Sequence, residues 1–87
     1  MPSLKAQIEL LNLEINIIYK EIEHLNFLIN YIEKARKTLK SPYSIELADK
    51  KIEEYKASIE KNKEEGKVLR RKLEKLESSN KPKQMGQ

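Results

Sequence analysis

Apolar residues recur along the first half of the chain in alternating steps of four and three. Arg36 interrupts the row and Leu39 resumes it. A repeat of this kind is typical of a helix that packs along one seam. With Ser3 suited to cap its start, the first helix is predicted over about residues 3–40. Its seam is Leu4, Ile8, Leu11, Ile15, Ile18, Ile22, Leu25, Ile29 and Ile32.

The same rhythm returns after a break at residues 41–44. Pro42 disfavours helical geometry at the preceding residue and lacks a backbone donor, so it predicts a turn. Either Ser41 or Ser44 is suited to cap a second helix, predicted over about residues 45–79. Residues 81–87 are predicted to be a disordered basic tail. The second seam is Ile45, Ala48, Ile52, Tyr55, Ile59, Asn62, Gly66, Leu69, Leu73 and Leu76.

A connection this short makes the two helices antiparallel neighbours. Folding the chain about residue 42 pairs positions whose numbers sum to 84, and every layer is matched without an insertion. Asn62 and Gly66 are exceptions to the apolar pattern of the second seam. They indicate either a polar layer that sets the register, or a close approach of the helices or a kink. The predicted fold class is all-α, a long antiparallel helical hairpin of coiled-coil type over residues 1–80.

A second apolar row follows the first helix, roughly 160° around its axis from the seam. The outward positions of the second helix are charged instead. We therefore expect the row to be covered by a second copy, giving a homodimeric four-helix bundle. Scattered surface apolar residues, or a helix of a different protein, are the alternatives. The predicted dimer interface comprises Leu10, Leu13, Ile17, His24, Phe27 and Tyr31, with Ala6 at its end.

Charge favours an antiparallel arrangement of the two first helices. In that arrangement Lys20 faces Glu21 of the second copy and Leu10 faces Tyr31. A parallel arrangement would place like charges opposite each other, with Lys20 against its own counterpart.

The composition agrees with long helices and excludes several classes of protein. Hydrophobic residues make up 38% of the chain and charged residues 37%, which is the usage of coiled coils. There is no Cys, so a disulfide framework or a Cys-based zinc site is excluded. No apolar run is long enough for a membrane span or a signal peptide. We expect a soluble, cytoplasmic protein with no cofactor.

Catalytic residue types are scarce. His24 is the only His, and the two Gly residues cannot form a phosphate-binding loop. Glu21 and His24 have the spacing used in di-metal helix bundles, but the second seam supplies no matching Glu at that level. A partly buried interface histidine is the better interpretation, and neither a metal site nor an enzyme is predicted.

The net charge of +4 arises from 18 basic and 14 acidic residues that are interleaved. The leading functional prediction is a non-enzymatic interaction module, a dimeric helical adaptor or scaffold that binds itself and another protein. The alternative is a regulator that binds RNA or DNA, resembling the small dimeric hairpin bundles of ROP type in architecture only. Its contacts would be Lys67, Arg70, Arg71, Lys72 and Lys75.

Overall fold

The computed structural model describes residues 3–80, and they form two helices in an antiparallel hairpin. Helix α1 spans Leu4–Arg36 and helix α2 spans Pro42–Asn80, so 92% of the described residues are helical and none is in a strand. The hairpin is 57 Å long. The predicted helical hairpin is thus confirmed. The predicted basic tail, residues 81–87, lies outside the described residues.

Helix α1 begins where the sequence places its cap. The backbone N–H of Ala6 donates to the Ser3 hydroxyl at 3.1 Å, and the N–H of Gln7 donates to the Ser3 carbonyl at 3.0 Å. Ser3 itself is extended, with φ −65° and ψ 161°, which is the usual geometry of an N-cap residue.

The first helix ends at Arg36, earlier than the predicted Lys40. From Lys37 onward the backbone N–H groups donate to carbonyls three residues back, as Leu39 does to Arg36 at 3.1 Å. The Thr38 hydroxyl also donates to the Ala35 carbonyl at 2.7 Å and satisfies an acceptor that helix continuation would use. A tightened last turn therefore ends α1 before Pro42 is reached.

The second helix begins at Pro42, whereas the sequence placed the turn at 41–44 and the start at 45. Ser41 is the cap: the N–H of Ser44 donates to its hydroxyl at 3.5 Å, and the N–H of Ile45 donates to its carbonyl at 3.1 Å. Pro42 is then the first helical residue, where a missing N–H costs nothing because it would have no helical partner. The connection between the helices is therefore residues 37–41.

The core is one layer thick and lies along the line where the helices meet. Ile15, Ile18, Ile29, Ile52 and Ile59 are buried, with 6–7% of their surface exposed. Ile22, Leu25, Ile32 and Tyr55 pack against the cluster of Ile29, Ile52 and Ile59. Among the described residues no side chain is less than 2% exposed, because two helices cannot surround any position. The hairpin alone therefore has a small core for its length.

Gly66 is buried in the seam and confirms the register. A Cβ atom placed on Gly66 would lie 3.7 Å from Cγ2 of Ile18, the residue that the antiparallel match pairs with it. That distance is an ordinary van der Waals contact, so the helices do not approach closely enough to require glycine. Helix α2 passes through Gly66 without a break, and the neighbouring seam residue Asn62 is half-buried.

We expect Gly66→Ala to raise the free energy of unfolding by about 1 kcal/mol, because glycine costs about that much inside a helix and the added methyl group fits. Denaturant unfolding at a fixed chain concentration measures the change. Ala57→Gly, at an exposed position of the same helix, is the matched control and should lower stability by a similar amount. A destabilised Gly66→Ala variant would show that the backbones need a closer approach than the structure has.

Neither α1 nor α2 contains a stretch apolar enough, over a sufficient length, to cross a membrane.

Candidate interaction face on the first helix

The second apolar row of α1 is exposed along the hairpin. Its large side chains keep between 57% and 65% of their surface accessible, and His24 beside them is also exposed. We call this surface the α1 face, and it comprises Leu10, Leu13, Ile17, His24, Phe27 and Tyr31. These side chains point away from the seam and leave most of their surface uncovered by α2.

A groove between the helices borders the α1 face. It is open to solvent, has a volume of about 840 Å³, and is lined from α1 by Leu13, Ile17 and His24, and from α2 by Ser58, Lys61 and Asn62. Its continuation toward the open end of the hairpin is lined by Ile17 and Val68, one from each helix. The exposed apolar surface therefore extends from α1 across the groove onto α2.

Val68 was missed by the sequence analysis, which found only charged outward positions on α2. Val68 and Leu47 are each 48% exposed, and they are separated by three seven-residue repeats. The spacing places both on one side of α2, but Glu54 and Lys61 occupy the intervening positions. Two apolar residues among charged ones gave no recognisable row.

Four charged residues line the centre of the groove, in oppositely charged pairs from each helix. Lys20 and Glu21 come from α1, and Lys61 and Glu65 come from α2. Lys20 reaches Glu23 on its own helix at 3.5 Å, and both side chains are largely exposed. The other three make no ion pair with the described residues.

The opposite side of the hairpin is polar and has its own contacts. The Tyr19 ring lies there, with the Arg70 guanidinium carbon 5.2 Å from its centre.

Arg36, which interrupts the first seam, is exposed and binds Asp49 through two hydrogen bonds, Nε to Oδ1 at 2.6 Å and Nη2 to Oδ2 at 3.3 Å. The hydrogen bonds from Arg36 lower the pKa of Asp49 below its ordinary value. This pair joins the helices near the turn, so Arg36 is a cross-helix contact.

The basic residues of α2 predicted to contact nucleic acid do not share one side. Arg70 lies over Tyr19 on the polar side, whereas Lys72 and Lys75 line a depression with Leu10 on the groove side. Lys67 reaches Glu64 at 3.4 Å. Arg71 is exposed and makes no ion pair with the described residues. The five side chains are therefore spread around the open end of α2.

Glu21 and His24 have the sequence spacing of metal ligands in di-metal helix bundles. Within residues 3–80, no three or more His, Asp or Glu side chains lie close enough together to hold a metal ion. Both residues line the groove, with Lys20 and Lys61 among their neighbours.

Comparison of the chain with protein-family models, with curated proteins and with solved structures gives no match. The fold places the chain among two-helix antiparallel hairpins.

Proposed function

We propose that the chain is a non-enzymatic protein-interaction module, a homodimeric helical adaptor or scaffold whose α1 face binds a second copy. The observation that carries this proposal is the exposure of five large apolar side chains along one side of α1. They amount to roughly 600 Å² of accessible surface, which is at the upper end of the range for the largest apolar patch on a monomer. A cytoplasmic location stays a prediction from the sequence.

The size of this surface fits a dimer. A standard protein interface covers about 800 Å² on each partner, and the α1 face together with Val68 and the groove walls approaches that value. The thin core points the same way, because a second hairpin would add the buried apolar area that a two-helix chain lacks. Outer positions of α2 would then be left for another partner.

Nucleic-acid binding is a second candidate, favoured by one observation. Arg71, Lys72 and Lys75 are exposed and make no ion pair with the described residues, so their charges are available to phosphates. The distribution of the basic residues over two sides of α2 supports it less well than the row of exposed apolar residues on α1 supports self-association.

The melting temperature of the unmodified chain tests the proposal without a substitution. We expect it to rise steadily as the chain concentration is increased about 100-fold, because association stabilises the folded state by mass action. Circular dichroism at each concentration gives the measurement. A melting temperature that stays constant over that range would show a monomer and contradict the homodimer.

A further inference from the structure

The charged residues of the groove carry an inference about how the second copy is oriented. Lys20 and Glu21 are adjacent on α1, while Lys61 and Glu65 are one turn apart on α2. The position of Gly66, where a Cβ atom would lie 3.7 Å from Cγ2 of Ile18, fixes the register of the helices. In that register the midpoint of the α1 pair lies at the same level along the hairpin as the midpoint of the α2 pair.

We propose that the second copy docks face to face on the groove side, with its α1 antiparallel to α1 and its α2 antiparallel to α2. The two-fold axis then runs between the hairpins, perpendicular to the helices, at the level of these four charges. This inference rests on the proposed homodimer and specifies its geometry.

The axis brings opposite charges together on both helices at once. Lys20 of each copy faces Glu21 of the other, and Lys61 faces Glu65, so one rotation gives four matched pairs. Glu21, Lys61 and Glu65 make no ion pair with the described residues of their own chain and are available for these contacts. Such pairs contribute chiefly to orientation and specificity.

The apolar residues disfavour the other way of facing the groove sides. A two-fold axis parallel to the helices would place α1 of one copy over α2 of the other. In the register of the hairpin, Leu10 would then lie at the level of Lys75 and Phe27 near the level of Lys61, so only Ile17 would meet an apolar residue, Val68. Only α1 against α1 buries the apolar row against itself. When α1 packs against α1, a parallel arrangement would place Lys20 opposite Lys20 of the other copy, and these like charges repel.

Thiol crosslinking tests the orientation, since the chain has no Cys of its own. We expect Leu10→Cys mixed with Tyr31→Cys to give a covalent dimer with a short bismaleimide, because residues 10 and 31 face each other in the antiparallel dimer. Leu10→Cys alone should give at least tenfold less crosslinked product. Efficient crosslinking of Leu10→Cys to itself would overturn the antiparallel arrangement.

The outcomes separate this inference from the proposed function. If the unmodified chain is a monomer, the homodimer fails and no combination crosslinks. If the chain is a dimer and Leu10→Cys crosslinks to itself, the homodimer stands and the orientation is wrong.

Charge reversal provides a second measurement on the same geometry. We expect Lys20→Glu with Lys61→Glu, or Glu21→Lys with Glu65→Lys, each to weaken self-association at least tenfold, and the two variants to associate when mixed. If the variants self-associate as well as the unmodified chain, the charge pairs do not lie in the interface.

Discussion

Replacement of Leu13, Ile17 and Phe27 by glutamate is expected to convert the chain into a helical monomer. These side chains are 58–63% exposed in the single hairpin, so the new carboxylates remain hydrated there and the seam is untouched. In the dimer they would enter the interface, where an unpaired charge costs several kcal/mol. We therefore expect association to weaken at least 100-fold. Light scattering measures the mass, and circular dichroism checks that the helices persist.

The matched control adds the same three charges to α1 on its other side. Asn12, Asn26 and Asn30 are exposed and lie away from the α1 face, so their replacement by glutamate should leave the dimer in place. If the apolar-face variant keeps the mass of the unmodified chain, α1 does not form the interface. If the control variant also dissociates, added charge alone explains the loss.

The second large effect is expected in the core. Ile52→Ala should lower the free energy of unfolding by about 2–4 kcal/mol, because Ile52 is 7% exposed and belongs to the cluster with Ile29 and Ile59. In a core one layer thick, few neighbours can move in to fill the space. Denaturant unfolding at a fixed chain concentration measures the loss.

Tyr43→Ala is the control for that substitution. It removes a larger side chain from α2, but Tyr43 is 69% exposed, and the expected change is within about 0.5 kcal/mol. Equal losses from the two substitutions would mean that the seam is not the core of the folded state.

The seam and its register could be predicted because both follow from periodicity. An apolar position every three or four residues determines which side of a helix is buried, and a short connection determines which layers meet. The pairing of Ile18 with Gly66 was derived in this way, and in the structure a Cβ atom placed on Gly66 would lie 3.7 Å from Cγ2 of Ile18. Ser3 is likewise the cap that its residue type indicates.

The turn was placed less well because local hydrogen bonds decide where a helix ends. The hydrogen bond of the Thr38 hydroxyl and the backbone bonds to carbonyls three residues back end α1 at Arg36, and periodicity contains no information about either. The choice between Ser41 and Ser44 as cap depended on whether Pro42 is the last turn residue or the first helical one. Both are compatible with proline chemistry.

The candidate site was predicted in part. The α1 face is a regular row on one helix and could be predicted from the sequence periodicity. The groove could not, because it depends on how the two helices are placed relative to each other. Val68 lies beside Ile17 only because the hairpin brings the same side of both helices to one surface. The bond between Arg36 and Asp49 is likewise a cross-helix contact that one helix alone does not reveal.

The central claim, that the α1 face joins two copies, is tested most directly by the solution mass of the unmodified chain. Light scattering at micromolar to millimolar chain concentration should approach twice the chain mass of 10.3 kDa. A mass that remains at 10.3 kDa across that range would contradict the claim. The α1 face would then be the surface to test against a different protein.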